Sequence, residues 1–244
     1  MASGLEPLTQ DVFFGGGVRL KQERHGYRFS IDAVILAGCL HPRPGETIVD
    51  LGTGCGIIPI LLAFRRPDVR VWGVEVQEDL AALAVENVRA NWMEPRVTIL
   101  RGDLREIGAG AFGGPVDWIV SNPPYRRSRS GRVNLNTQRA LARHEIAMTL
   151  ADLVGAARRL LKSGGRLVVI YAAERAAELL AQLRSEQIEP KRLRSVHSDR
   201  LSNARLILIE GIKNGGPGLT LPPPLIIYDE NGTYSQEIHS LLSP

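Results

Sequence analysis

The order of apolar and polar positions along the chain predicts alternating strands and helices. From residue 47 onward, short apolar runs typical of buried strands alternate with longer segments whose apolar residues recur with the period of one helix face. We predict strands at 47–51, 69–76, 97–100, 118–120, 166–171, 191–197 and 204–212, and helices at 57–64, 78–92, 150–161 and 174–186. Strands separated by helices pair in parallel, so the first five strands belong to one parallel sheet.

The last part of this pattern differs from that of a dinucleotide-binding fold, which consists of two similar halves. A short turn, and not a helix, joins the last two predicted strands, so we expect them to form an antiparallel pair. The predicted fold class is α/β, a Rossmann-like seven-stranded, mostly parallel sheet with helices on both faces. We expect residues 1–46 and 214–244 to pack on a core domain at 47–213, because a free tail rarely carries so many large apolar residues.

Composition is that of a globular protein. Of 244 residues, 44% are hydrophobic and 23% are charged, and the longest apolar run, 57–64, is too short to span a membrane. The first residues lack the basic and apolar regions of a leader peptide, so we expect a cytoplasmic protein with no membrane partner. Cys39 and Cys55 form neither a disulfide framework nor a metal-ligand spacing, so we expect no metal.

A glycine-rich loop follows the first predicted strand, with Asp50 beside it. The loop carries Gly52, Gly54 and Gly56, which allow a tight turn and close approach of a ligand to the backbone. The dinucleotide fingerprint would require a third glycine at the position of Ile57. The Asp50 carboxylate would repel a pyrophosphate, but it would attract the ammonium or sulfonium group of S-adenosyl-L-methionine.

Two further acids follow the next two strands. Glu75 ends the second strand, where a carboxylate can accept both ribose hydroxyls, and Asp103 follows the third, where it can accept from an adenine amino group. Either acid alone is more often a helix cap or a solvated turn residue. Because three acids stand at three successive strand ends beside the glycine loop, they favour S-adenosyl-L-methionine over a nicotinamide cofactor.

The run Asn122-Pro123-Pro124-Tyr125 follows the fourth strand and suits the methylation of a flat amino group. Each proline fixes its own backbone angle and holds the preceding residue extended, so the Asn122 side-chain oxygen and the Pro123 carbonyl point into one pocket. Two acceptors there can take both hydrogens of an –NH2 group while its nitrogen pyramidalises. Tyr125 can lie against the face of the substrate. The alternative is a Pro-Pro turn that closes a strand.

Arginines are concentrated directly after this run. The net charge of +4 is mild, but six arginines and no acidic residue stand between positions 126 and 143. We expect RNA phosphates to be bound by four of them, Arg126, Arg127, Arg129 and Arg132. The alternative is a solvated loop.

The order of these motifs resembles the class I S-adenosyl-L-methionine-dependent methyltransferases. The lead-in 26–37 and the late Tyr234-Ser235-x-Glu237 resemble, more narrowly, the bacterial adenine-N6 methyltransferases that act on valine tRNA. The resemblance implies a cofactor cleft that also includes Asn122. Its residues are Asp50, Gly52, Gly54, Gly56, Glu75, Asp103 and Asn122. It implies that the catalytic residues are Asn122, Pro123, Pro124 and Tyr125. It also implies that Phe29 and Asp32 lie near the mouth of the cleft. The alternative for Asp32 is a place in the first turn of a helix, which it suits equally well.

The expected reaction is in-line methyl transfer to an exocyclic amine, N6 of adenine in tRNA. The pocket alone leaves guanine-N2 of ribosomal RNA or a glutamine amide of a release factor open as substrates. A third possibility is a non-catalytic RNA-binding module with a vestigial cofactor cleft. Carbon methylation of pyrimidines is disfavoured, because neither cysteine lies in the Pro123-Pro124 loop.

Overall fold

The computed structural model of the protein describes residues 8–23, 31–123 and 148–243. In these ranges the strands are β1 (Leu8–Phe13), β2 (Val18–Glu23), β3 (Thr47–Leu51), β4 (Arg70–Glu75), β5 (Val97–Arg101), β6 (Val116–Ser121), β7 (Leu161–Ala172), β8 (Ile188–His197), β9 (Ala204–Lys213) and β10 (Leu225–Ile226). The α-helices are α1 (Ile31–Gly38), α2 (Ile57–Arg65), α3 (Glu78–Ala90), α4 (Leu150–Leu160), α5 (Ala176–Ser185) and α6 (Gln236–Leu242). Short 3-10 turns occupy Phe14–Gly16, Ala109–Phe112 and Ala173–Arg175.

The core is built on an eight-stranded sheet in the order β10-β8-β9-β7-β6-β3-β4-β5. Strands β3 to β7 pair in parallel with one another, whereas β9 is antiparallel to both β7 and β8. The predicted fold class, a mostly parallel sheet that ends in an antiparallel pair, is therefore confirmed. The seven predicted strands are β3 to β9, and β10 is a two-residue addition from the tail that pairs in parallel with β8.

Side chains along the strands alternate between two apolar layers, one on each face of the sheet. In β6, Trp118 and Val120 belong to the layer that contains α1, α2 and α3, whereas Ile119 belongs to the layer that contains α4 and α5. Helix α2 is buried throughout 57–63, which explains its continuous apolar sequence. Because β3 to β6 run in one direction, the loops that follow them meet at the carboxyl edge of the sheet.

A two-stranded hairpin of β1 and β2 precedes the core, and the apolar pattern did not predict it. The two strands pair antiparallel along their whole length. Phe14 in the turn stacks on Phe64 of α2, with ring centroids 4.8 Å apart. Positions along β1 alternate between exposed and half-buried, so the strand has too few buried apolar residues for its sequence to show the period of a strand clearly.

The tail contacts the core through α6. Arg194 Nη2 of β8 donates to Glu237 Oε2 at 2.8 Å, and Arg65 of α2 donates to the carbonyl oxygen of Leu241. Ile238 is fully buried between these contacts. The division of the chain into a lead-in, a core domain and a tail at 46/47 and 213/214 stays a prediction.

Candidate active site

The loop between β3 and α2 turns tightly at the carboxyl edge of the sheet. Gly52, Gly54 and Gly56 have φ angles of 78°, 57° and 85°, in the left-handed region that favours glycine. A Cβ atom at Gly56 would lie 3.1 Å from Ala84 Cβ on α3, and one at Gly52 would lie 3.0 Å from Met148 Cε. Conformation and space therefore both favour glycine here, and the bare backbone lets a ligand approach closely.

Asp50, near the end of β3, carries a fully buried carboxyl group. Its exposed fraction is 0%, and neither carboxyl oxygen has a hydrogen-bond partner among the residues that the structure describes. Burial raises the pKa of Asp50 from 3.8 to about 7; the neighbouring Thr53 hydroxyl opposes this rise, and the negative charge of Glu75 adds a smaller upward contribution. The buried hydroxyl of Thr53 likewise lacks a partner in these ranges. An unpaired buried carboxylate is costly, so the arrangement fits a positively charged ligand.

Glu75, the last residue of β4, braces the glycine loop. Its Oε2 accepts from Gly54 N at 2.9 Å, and its Oε1 accepts from Gln77 N at 2.9 Å. Each carboxylate oxygen has a second lone pair, so Glu75 can still accept from ribose hydroxyls while it holds the loop. Sequence reasoning placed this acid at the cleft, but it did not foresee the bracing role.

Asp103, after β5, is paired with its neighbour Arg105. Arg105 Nε lies 2.9 Å from both carboxylate oxygens, and Arg105 N donates to Oδ1 at 2.9 Å. These hydrogen bonds lower the pKa of Asp103 below its ordinary value. The carboxylate therefore stays ionised. In the predicted contact with an adenine amino group, its oxygens would be shared with the guanidinium group of Arg105.

The end of β6 lies beside the end of β3, because Val120 pairs with Asp50. Ser121 is fully buried, and its Oγ donates to Leu51 O at 2.7 Å, which ties the two strand ends together. Asn122 is half-buried and Pro123 is buried directly after this tie. Sequence reasoning missed Ser121, although a polar residue at the end of an apolar strand was the available signal.

Several predicted site residues fall outside the described ranges. They are Phe29, Pro124, Tyr125, Arg126, Arg127, Arg129 and Arg132. Asp32 is described, and it lies in the first turn of α1, as the helix interpretation requires. The structure thus brings Asp50, the three loop glycines, Glu75 and Asn122 to one edge of the sheet, with Asp103 after the neighbouring strand.

Metal-ligand clusters and membrane-spanning helices are both absent from the described part of the chain. Within these ranges no group of three or more His, Cys, Asp or Glu side chains could hold a metal ion. Similarly, no helix there is both long enough and apolar enough to cross a membrane. Cys39 and Cys55 are free, and burial raises the pKa of the Cys55 thiol to about 12, so it is a poor nucleophile.

Comparison with known proteins identifies the family. Residues 28–189 match the methyltransferase small domain. The chain belongs to this family. It is 30% identical over 246 residues to the tRNA1(Val) (adenine(37)-N6)-methyltransferase of Porphyromonas gingivalis, covering 97% of this chain and 95% of that protein. It is 28% identical over 223 residues to the protein of the same name from Tolumonas auensis, covering 91% of each.

Solved structures show the same fold. A crystal structure from Agrobacterium tumefaciens, described as a predicted O-methyltransferase, matches with a TM-score of 0.70 and 21% identity. The match covers 86% of this chain and 94% of that one. The fold expected from the class I resemblance is therefore confirmed, and family membership makes the chain a methyltransferase. The roles assigned to single residues stay predictions.

Proposed function

We propose that this methyltransferase transfers a methyl group from S-adenosyl-L-methionine to N6 of an adenine in tRNA. The acceptor is supported by relatives that are named for this reaction and that align with 97% and 91% of the chain. The methyl donor is supported by one observation above all. The buried Asp50 carboxyl has no partner among the described residues and lies beside a glycine loop, where a cationic ligand would satisfy it.

The proposed cofactor cleft is formed by Asp50, Gly52, Gly54, Gly56, Glu75, Asp103 and Asn122. When bound, S-adenosyl-L-methionine supplies an activated methyl group on a positively charged sulfur. Asp50 compensates positive charge on the ligand, and Glu75 accepts from ribose hydroxyls while it braces the loop through Gly54 N. Because methyl transfer needs mainly alignment, these contacts act by positioning the two reactants, and the proposal requires no metal.

Asn122 and Pro123 hold the target amine in this proposal. The tie between Ser121 and Leu51 anchors the strand end from which they project, next to Asp50 on the neighbouring strand. The Asn122 side-chain oxygen and the Pro123 carbonyl accept the two amino hydrogens and favour a pyramidal nitrogen with its lone pair directed at the methyl group. The methylated nitrogen is acidic enough to lose its proton to water, so no strong general base is required.

RNA reaches this pocket by turning out a base, which is least costly in a single-stranded loop. Pro124 and Tyr125 complete the proposed pocket, with Tyr125 stacking on the extruded base. Arg126, Arg127, Arg129 and Arg132 then contact the flanking phosphates. Since tRNA is the proposed partner, we infer that the protein acts in the cytoplasm.

The substrate is tested by offering total tRNA, ribosomal RNA and a release factor separately, with a radiolabelled methyl donor. We expect label in valine tRNA, recovered as N6-methyladenosine by mass spectrometry of the nucleosides. Label in ribosomal guanine or in a protein glutamine would replace the proposed substrate with one of the alternatives. Absence of donor binding by calorimetry would instead support a non-catalytic RNA-binding module.

The role of Asn122 is tested by Asn122→Ala, with the exposed Asn203→Ala as its matched control. Loss of a transition-state hydrogen-bond partner should lower the rate of methyl transfer by about 100-fold or more, and this loss of rate should far exceed the loss of cofactor affinity that follows from removing one residue of the cleft. Asn203→Ala should transfer at the wild-type rate. Wild-type turnover by the Asn122 variant would remove the proposed mechanism.

A further inference from the structure

Two asparagines, Asn87 in helix α3 and Asn91 directly after the last residue of that helix, face strand β2 of the hairpin. Asparagine is a poor residue for the middle of a helix, because its side chain competes for backbone hydrogen bonds. Asn87 is nevertheless fully buried, with an exposed fraction of 0%. A buried amide requires hydrogen-bond partners, and they identify what these two residues do.

Each asparagine pairs with both backbone groups of one β2 residue. Asn87 Oδ1 accepts from Lys21 N at 2.8 Å, and its Nδ2 donates to Lys21 O at 2.9 Å. Asn91 makes the same pair with Arg19, at 2.8 and 2.6 Å. Four helix residues rise about 6 Å and two strand residues about 6.6 Å, so the two spacings match. The helix therefore covers the edge of the hairpin much as a further strand would.

Only Asn87 also touches the glycine loop. Its Nδ2 donates to Cys55 O at 2.9 Å, whereas the additional bond of Asn91 Nδ2 goes back to Asn87 O, at 2.7 Å, and not to the loop. Glu75 holds the neighbouring Gly54 N at 2.9 Å. The loop is thus held at two neighbouring residues, at Gly54 by the carboxylate of Glu75 and at Cys55 by the side-chain amide of Asn87. Asn87 also binds the hairpin.

We infer that Asn87 is a positioning residue for the cofactor, and that it couples the N-terminal hairpin to the cofactor loop. This inference rests on the proposal that the glycine loop binds S-adenosyl-L-methionine. Glycines have more conformational freedom than other residues, so an unheld loop loses more entropy when a ligand orders it. By fixing the Cys55 carbonyl, Asn87 keeps the loop ordered before the cofactor arrives, which strengthens binding.

The test compares Asn87→Ala with Asn91→Ala. Both variants lose one amide pair with β2, but only Asn87→Ala releases the Cys55 carbonyl. With folding verified by circular dichroism, we expect the Kd for S-adenosyl-L-methionine, measured by calorimetry, to rise about tenfold in Asn87→Ala, the effect of losing one buried hydrogen bond. Asn91→Ala should bind with nearly wild-type affinity. Equal affinities of the two variants would overturn the inference.

A measurement on the wild-type protein covers the case in which Asn87→Ala does not fold. Hydrogen exchange is followed with and without S-adenosyl-L-methionine. Because Asn87 links Lys21 N to the loop, the Lys21 amide should exchange more slowly when cofactor is bound, and the Arg19 amide should change less. An unchanged Lys21 amide would contradict the coupling.

The Asp50→Asn variant separates failure of this inference from failure of the proposed function. If Asp50→Asn weakens cofactor binding while Asn87→Ala does not, the cofactor site stands and only the role of Asn87 is wrong. If neither substitution changes the affinity, the cofactor does not bind at this loop, and both the proposed cleft and the inference fail.

Discussion

Replacing Asp50 with asparagine tests whether the buried carboxyl group is kept for a cation. Asparagine has nearly the same shape but no charge, so the variant removes the ionisation and changes the packing little. The two carboxyl oxygens have no hydrogen-bond partner among the described residues, so the group that the substitution disturbs most is the neighbouring Thr53 hydroxyl. The difference between the two proteins therefore isolates the cost of ionising this group without cofactor.

The size of this cost follows from the pKa of Asp50. Burial raises the pKa from 3.8 to about 7. One pKa unit corresponds to about 1.4 kcal/mol, so a rise of about three units corresponds to about 4 kcal/mol. Because the folded protein holds the proton more tightly than the unfolded chain does, this stability is fully present below pH 3.8. It is lost as the pH rises through about 7.

Urea unfolding of the cofactor-free proteins measures the effect. Between about pH 5 and pH 8.5 we expect the free energy of unfolding of Asp50→Asn, relative to wild type, to increase by about 3 kcal/mol and to level off at the upper end. Saturating S-adenosyl-L-methionine should stabilise the wild-type protein at high pH and the variant much less. A difference between the two proteins that does not change with pH would refute the reasoning.

Two further predictions concern the loop and the tail. Gly56→Ala should lower the free energy of unfolding by about 2 kcal/mol, because of its φ of 85° and a Cβ position 3.1 Å from Ala84 Cβ. The control is Gly108→Ala, whose Cβ would meet nothing within 4 Å, and its free energy of unfolding, measured with denaturant, should be nearly that of wild type. Equal losses of unfolding free energy in the two variants would contradict the strain argument. Arg194→Lys should cost about 1 to 2 kcal/mol and speed proteolysis of the tail, because lysine cannot reproduce the two-pronged contact with Glu237. A tail as resistant to proteolysis as in wild type would show that this contact does not hold it.

Local patterns were enough to predict most of the core. The period of a strand or helix is set by neighbouring residues, so β3 was predicted with its observed bounds, and α2 and α3 to within two residues. The start of β7 was predicted too late, at 166 and not at 161, because the apolar run of the strand begins only after Gly164 and Gly165. Helix α4 ends at Leu160, and the two glycines lie inside the strand, with a φ of 79° at Gly164.

The order of residues alone shows which chemical groups stand at the strand ends, with Asp50 beside three glycines and Glu75 as the last residue of the next strand. What each of these groups contacts depends on how distant segments pack in the folded chain. Glu75 holds Gly54 across 21 positions and Asn87 holds Cys55 across 32, while Asp50 has no hydrogen-bond partner within the described residues. Hydrogen bonds between distant segments depend on the distance and angle at which those segments pack. Local periodicity carries no information about that packing, so the roles of Glu75 as a brace and of Asn87 as a link could be found only in the folded protein.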